Sequence, residues 1–192
     1  MAKRILLAAV LGGFVLFLWG GMAHMVLSLG QVGIQNLPQQ QAVMDTLKAT
    51  VPQSGFYFFP QVDAAGKVAP EKAGGPYGIM IYHASGAGGA MTGQLVNECI
   101  LNIVMAGFAA FLLSLATVLT GYAARVGFVT LLGLVVGLMT NVQYWNWYGF
   151  PLSYTVVGVV DDIIGFLLVG LIAAALVKSS KQRIMVVPAK AA

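Results

Sequence analysis

Four long apolar stretches, set apart by short polar breaks and one longer mixed segment, dominate the pattern of this chain. A helix crossing a bilayer needs roughly 20 apolar residues, because each residue advances about 1.5 Å through a hydrocarbon core about 30 Å thick. Residues 1–29, 95–122, 126–149 and 151–177 each meet that length, which predicts four transmembrane helices. The segment 30–94 follows a different pattern. Leu37-Pro38 leads into Gln39–Val51, where Val43, Met44, Leu47 and Val51 share one face. A short helix with proline near its first turn is expected there, ended by Pro52. Phe56-Tyr57-Phe58-Phe59 and Tyr77–Tyr82 have the aromatic and β-branched composition of strands, and Asp63–Pro76 between them reads as a loop. The predicted fold class is an all-α membrane protein: a four-transmembrane-helix bundle with a small α+β extracytoplasmic cap over residues 30–94. A cap this small has too little interior to stand without the helices beneath it.

Composition narrows the class further. Of the 192 residues, 59% are hydrophobic and 8% charged, against about 25% charged in soluble domains. That excludes a water-soluble globule. A single cysteine and abundant aliphatic residues exclude a disulfide-stapled or disordered chain. The net charge of +4 does not indicate nucleic acid, because the basic residues flank the apolar runs. Lys3, Arg4, Arg125, Lys178, Lys181, Arg183 and Lys190 fall on one side of a four-span threading, and Lys48, Lys67 and Lys72 on the other. Basic loops stay in the cytoplasm, so both termini are expected there, with residues 30–94 outside. The basic tail 178–192 is expected to rest on the anionic inner leaflet.

The first run follows Lys3 and Arg4 and invites comparison with a secretory signal. It is longer than the roughly 7–15 apolar residues of such a signal and lacks a small-residue cleavage site, so an uncleaved anchor is expected. Gly133 and Gly137 in the third run, and Ala106, Ala110 and Ser114 in the second, recur at helical spacing and predict close helix packing. The Gly-rich stretch Ser85–Gly93 lacks the Lys-Ser/Thr ending of a phosphate loop and reads as a connection into the second span. Cys99 has no partner in the chain.

The informative residues are polar ones inside the apolar runs. Asp161 and Asp162 stand in the fourth run, and Asp161 lies roughly 15 Å along the helix from Pro151. Two carboxyls at such depth cost roughly 5–7 kcal/mol on the insertion scale, and the Val, Ile, Leu and Phe residues of that span return about 4–8. A balance near zero implies that the acids face a polar interior. Adjacent helical residues point about 100° apart. One acid is therefore expected to face the bundle and the other a neighbouring helix or a second protomer. His24, Glu98, Asn102, Asn141 and Gln143 complete the expected polar pocket. Tyr144, Trp145, Trp147 and Tyr148 are expected at the membrane–water interface, with stacking on a ring-bearing ligand as the other use of those rings.

Three roles fit the acids: hydrogen-bonded clamps between helices, a proton, cation or small-substrate site, or a metal site using His24, His83, Glu98 and an Asp. The last has no local ligand spacing behind it. The strings Trp19–Met25, Gly55–Pro60 and Tyr144–Pro151 resemble those of small uncharacterised bacterial four-span membrane proteins. That resemblance implies a bacterial inner membrane and no particular activity. The expected function is a non-catalytic accessory, binding or scaffold component with an outward polar pocket. A small proton- or cation-coupled transporter centred on Asp161 and Asp162 is the alternative, and a membrane-embedded metal-dependent enzyme the third reading. No catalytic residue, metal ligand set or cofactor is assigned from sequence. The expected partners are the lipid bilayer and a membrane protein or second copy, with no nucleic acid.

Overall fold

Four apolar helices form the body of the protein in a computed structural model that describes residues 1–72, 74–86 and 91–178. Helix α1 (Ala2–Gly21) continues through a π-helical turn at Met22–Val26. Helix α2 (Gln40–Thr50), strand β1 (Gly55–Phe59) and strand β2 (Gly78–Tyr82) follow. Next come α3 (Thr92–Leu115) and α4 (Tyr122–Gly137). The latter runs on through a second π-helical turn at Leu138–Val142 into α5 (Gln143–Tyr148), and α6 (Leu152–Leu176) ends the described chain. The stretches Ala2–Val26, Thr92–Leu115, Tyr122–Tyr148 and Leu152–Leu176 are each long and apolar enough to cross a membrane. Leu6, Phe14, Phe108, Phe111 and Leu131 stay exposed on the flanks of the bundle, where hydrocarbon would solvate them. Residues 87–90 of the Gly-rich stretch and the tail beyond Lys178 lie outside the described residues.

Small residues set the packing. A Cβ on Gly13 would overlap the Ile103 backbone, and one on Gly107 would meet the Ala9 Cβ at 3.3 Å, so α1 and α3 run antiparallel in close contact. Gly133 does the same for α4 and α6: a Cβ there would lie 2.6 Å from the Asp162 carbonyl oxygen. Helix α6 bridges the two pairs, since it packs against α1, α3 and α4. Ala8, Ala106, Ala110, Leu113, Val129, Phe166 and Val169 fill the shared core. This arrangement gathers the N-terminus of α1, the α3–α4 turn and the C-terminus of α6 at one basic end. The described residues between 27 and 91 cap the other.

The second span is shorter than its apolar run. Helix α3 stops at Leu115, and residues 116–121 form a turn closed by the Leu119 amide on the Ala116 carbonyl, 3.1 Å. Thr117, Val118, Thr120 and Gly121 are poor helix formers, so the run stays greasy while the backbone breaks. Arg125 is likewise not an inter-span residue. It belongs to the first turn of α4 and is 1% exposed. One guanidinium nitrogen donates to the Leu119 carbonyl at 3.1 Å and the other to the Val177 carbonyl, while Nε has no partner. A cation there satisfies the Val177 carbonyl that the end of α6 leaves open and complements the negative end of its dipole.

In the cap, β1 and β2 pair antiparallel with Phe56 opposite Ile81 and Phe58 opposite Ile79. Asp63 closes the connecting loop by accepting from the Ala65 and Lys67 amides at 2.8 and 2.9 Å. The face expected on α2 is only half covered: Val43, Leu47 and Val51 are partly buried and Met44 is exposed.

Candidate functional site

Helix α6 carries both acids to the cap end of the bundle, where their divergent directions send them to different helices of the same chain. Asp161 faces α1. Its Oδ1 accepts the Trp19 indole N–H at 2.7 Å, and its Oδ2 lies 3.5 Å from His24 Nε2. Gly165, one turn along α6, lets α1 come close below the indole, since a Cβ there would lie 2.6 Å from the Leu16 side chain. Asp162 faces α4 and accepts from the Asn141 amide at 3.1 Å.

Both partner segments are π-helical turns: Met22–Val26 holds His24, and Leu138–Val142 holds Thr140 and Asn141. Such a turn inserts an extra residue, leaves a carbonyl short of its usual donor, and recurs at functional sites. Here side chains supply the donors. Thr140 Oγ1 donates to the Val136 carbonyl at 2.9 Å, and Asn141 Nδ2 donates to the Gly137 carbonyl at 3.2 Å. The widened turn therefore orients the amide that meets Asp162.

Two glycines let the walls close in. The Asn141 amide occupies the space where a Cβ on Gly158 would stand, and the His24 ring does the same at Gly30. The Leu29–Gln31 turn thus lies directly on the imidazole. Between these groups is a half-open cavity of 370 Å³, bounded by His24, Thr140, Asn141, Tyr154, Asp161 and Asp162. Asp161 is 21% exposed at its side chain and His24 57%, so the histidine stands at the mouth and the acid below it.

Of the residues singled out from the sequence, His24, Asn141, Asp161 and Asp162 converge on this cavity, and Glu98, Asn102 and Gln143 do not line it. Glu98 is exposed on α3. Asn102 is 3% exposed on the interior stripe that continues as Ala106 and Ala110. Gln143 accepts the Trp147 indole N–H at 3.0 Å. Among the described residues no three of His, Cys, Asp and Glu are grouped to hold a metal ion, so His24, His83, Glu98 and an acid form no ligand set. The sequence pattern does not single out Trp19, Thr140 or Tyr154. For Trp19 a signal exists: an indole N–H inside an apolar span needs an acceptor.

Tyr144 and Tyr148, two of the aromatics expected at an interface, continue the site toward the cap. Rings succeed one another from Phe58 to Tyr148 (centroids 6.0 Å), Tyr144 (5.8 Å), Phe150 (5.4 Å) and Tyr154 (5.5 Å). This series joins the hairpin to the wall of the acid cavity. No protein family, curated protein or solved structure matches the chain.

Proposed function

We propose that this chain is a multi-pass, non-catalytic binding component of a bacterial inner membrane, and that its acid cavity receives a small cation from the outer face. The observation that carries the reading is the pair of carboxylates within a membrane-length helix, each tethered to a different neighbour around an open cavity. Carboxyls in an apolar span are costly unless a polar niche or a ligand compensates them. Trp19 and Asn141 each supply one hydrogen bond, which leaves acceptor capacity on both groups facing the cavity. Lys3, Arg4, Arg125 and Lys178 at the opposite end support a cytoplasmic placement of that end. That orientation puts the cavity and cap outside.

The resemblance noted in the sequence supports the bacterial membrane, and the site chemistry supports binding. A cation-coupled carrier is the second reading. It is favoured by the contact of His24 with Asp161, which sets two ionisable side chains side by side at the cavity mouth.

The test is thermal unfolding of the purified chain in neutral detergent at constant ionic strength, with lithium, sodium, potassium or methylammonium chloride. A ligand that binds only the folded state raises the midpoint as its concentration rises. One of these cations is expected to do so in the wild type and not in Asp161→Asn. A flat response to all four in the wild type overturns the binding reading. Cation- or pH-driven flux in vesicles, lost in Asp161→Asn, moves the assignment to a carrier.

A further inference from the structure

A second cavity lies under the hairpin, separate from the acids. It measures 350 Å³, at the small end of ligand cavities, and is walled by Phe58, Phe59 and Tyr77 of the cap and by Trp147 and Tyr148 at the end of α5. Its chemistry is the reverse of the acid cavity: among the described residues, Lys72 is the single charged side chain in its wall. We propose that this cavity binds an anionic glycerophospholipid of the outer leaflet, with Lys72 on the phosphate and the rings around the upper part of an acyl chain.

Three observations favour a lipid over a soluble anion. Trp147 and Phe58 at the cavity are 73% and 53% exposed, and Ile81 and Phe56 extend the same apolar hairpin face at 72% and 52%. A patch of that kind in water is unfavourable, whereas at the headgroup level it lies against chains and glycerol. The cavity also opens where the third membrane-length stretch ends, at Tyr148, which is the depth of lipid headgroups when that stretch spans. Finally, Lys72 sits on the cap side, whereas the helix side of the wall, Trp147 and Tyr148, carries no charge. That polarity matches a headgroup above and a chain below.

The inference rests on the bilayer placement and not on cation binding by the acids. The experiment uses the full chain in neutral detergent, titrated with brominated phosphatidylglycerol or brominated phosphatidylcholine, with quenching of tryptophan fluorescence as the readout. The anionic lipid is expected to quench saturably and about fivefold more tightly than the zwitterionic one, the worth of one basic residue beside an anionic surface. Lys72→Met is expected to abolish that preference and Lys72→Arg to keep it, and both retain the backbone hydrogen bonds to Ala69 and Gly75 that shape the turn around Lys72. Trp147→Phe should remove the saturable component, and Asp161→Asn should leave it intact. Equal binding of the two lipids, an unchanged preference in Lys72→Met, or saturable quenching that survives Trp147→Phe overturns the proposal.

Discussion

Asp161 and Asp162 are adjacent, yet they meet different physical problems because a helix turns about 100° between them. Asp161 is satisfied by an indole that has one hydrogen to give, and Asp162 by an amide that also closes a π-helical turn. Removing either donor leaves a carboxyl partly stripped of compensation. Hydrogen bonds to charged groups contribute about 1.5–3 kcal/mol. Trp19→Phe keeps an aromatic ring but deletes the N–H together with part of the indole's volume. Asn141→Ala deletes both the tether to Asp162 and the donor to the Gly137 carbonyl. Each variant is expected to lower the unfolding midpoint in detergent by about 3–12 °C, taking roughly 2–4 °C per kcal/mol for a chain of this size. Glu98→Gln, at an exposed position away from the cavity, should leave it unchanged. Equal midpoints for all three variants would mean that the acids are hydrated independently of these partners.

At this scale the sequence was informative about which residues are unusual and silent about which of them meet. The acids, His24 and Asn141 stand out because polar groups in apolar runs are rare. Glu98, Asn102 and Gln143 stand out equally, and the geometry leaves them outside the cavity wall. What separates the two sets is helix rotation and the local widening of two helices, and neither is written in hydropathy.

At the scale of the element, glycine placement decides how close the helices come. Gly133 and Gly127 both belong to α4, but their surroundings differ completely. A Cβ at 133 would lie 2.6 Å from a carbonyl oxygen of α6, and one at 127 would meet nothing within 4 Å. Gly133→Ala therefore forces α4 and α6 apart, at a cost of about 1–3 kcal/mol. Gly127→Ala adds helix propensity without a clash and should be neutral or stabilising by up to about 1 kcal/mol. Thermal unfolding of the two variants checks the pair. A loss at 127 equal to that at 133 would show that this face of α4 is covered.

Arg125 belongs to the same scale, because it ties the α3–α4 turn to the end of α6 through two carbonyls. A lysine presents one compact ammonium where arginine presents a planar fork, so Arg125→Lys should still lose about 1.5–3 kcal/mol. Lengths of helices and the hairpin were legible from periodicity. The break at Leu115 and the inward turn of Arg125 were not, because an apolar turn looks like a helix in hydropathy and a boundary cation looks solvated.

For the whole molecule, the governing asymmetry is that the acidic residues fall in the cap or the cap-side halves of the helices, whereas the described residues of the opposite end carry only basic charge. The basic end is closed: Arg125 is buried, and Val177 beside it is 1% exposed. The cap end is open, with an acid cavity and an aromatic cavity linked by a series of rings. If the basic end is cytoplasmic, Lys67 in the hairpin loop and Lys178 after α6 lie on opposite sides of the membrane. Replacing Cys99 with serine and introducing Lys67→Cys or Lys178→Cys, one at a time, gives each site its own reporter. In intact spheroplasts a membrane-impermeant maleimide should label the Lys67→Cys variant at once and the Lys178→Cys variant only after lysis. The reverse pattern would turn the cavities toward the cytoplasm and replace an outer-leaflet ligand with an inner one. Immediate labelling of both would mean that the α6 segment does not cross. The acids would then lose the apolar surroundings that make their pairing with Trp19 and Asn141 energetically necessary.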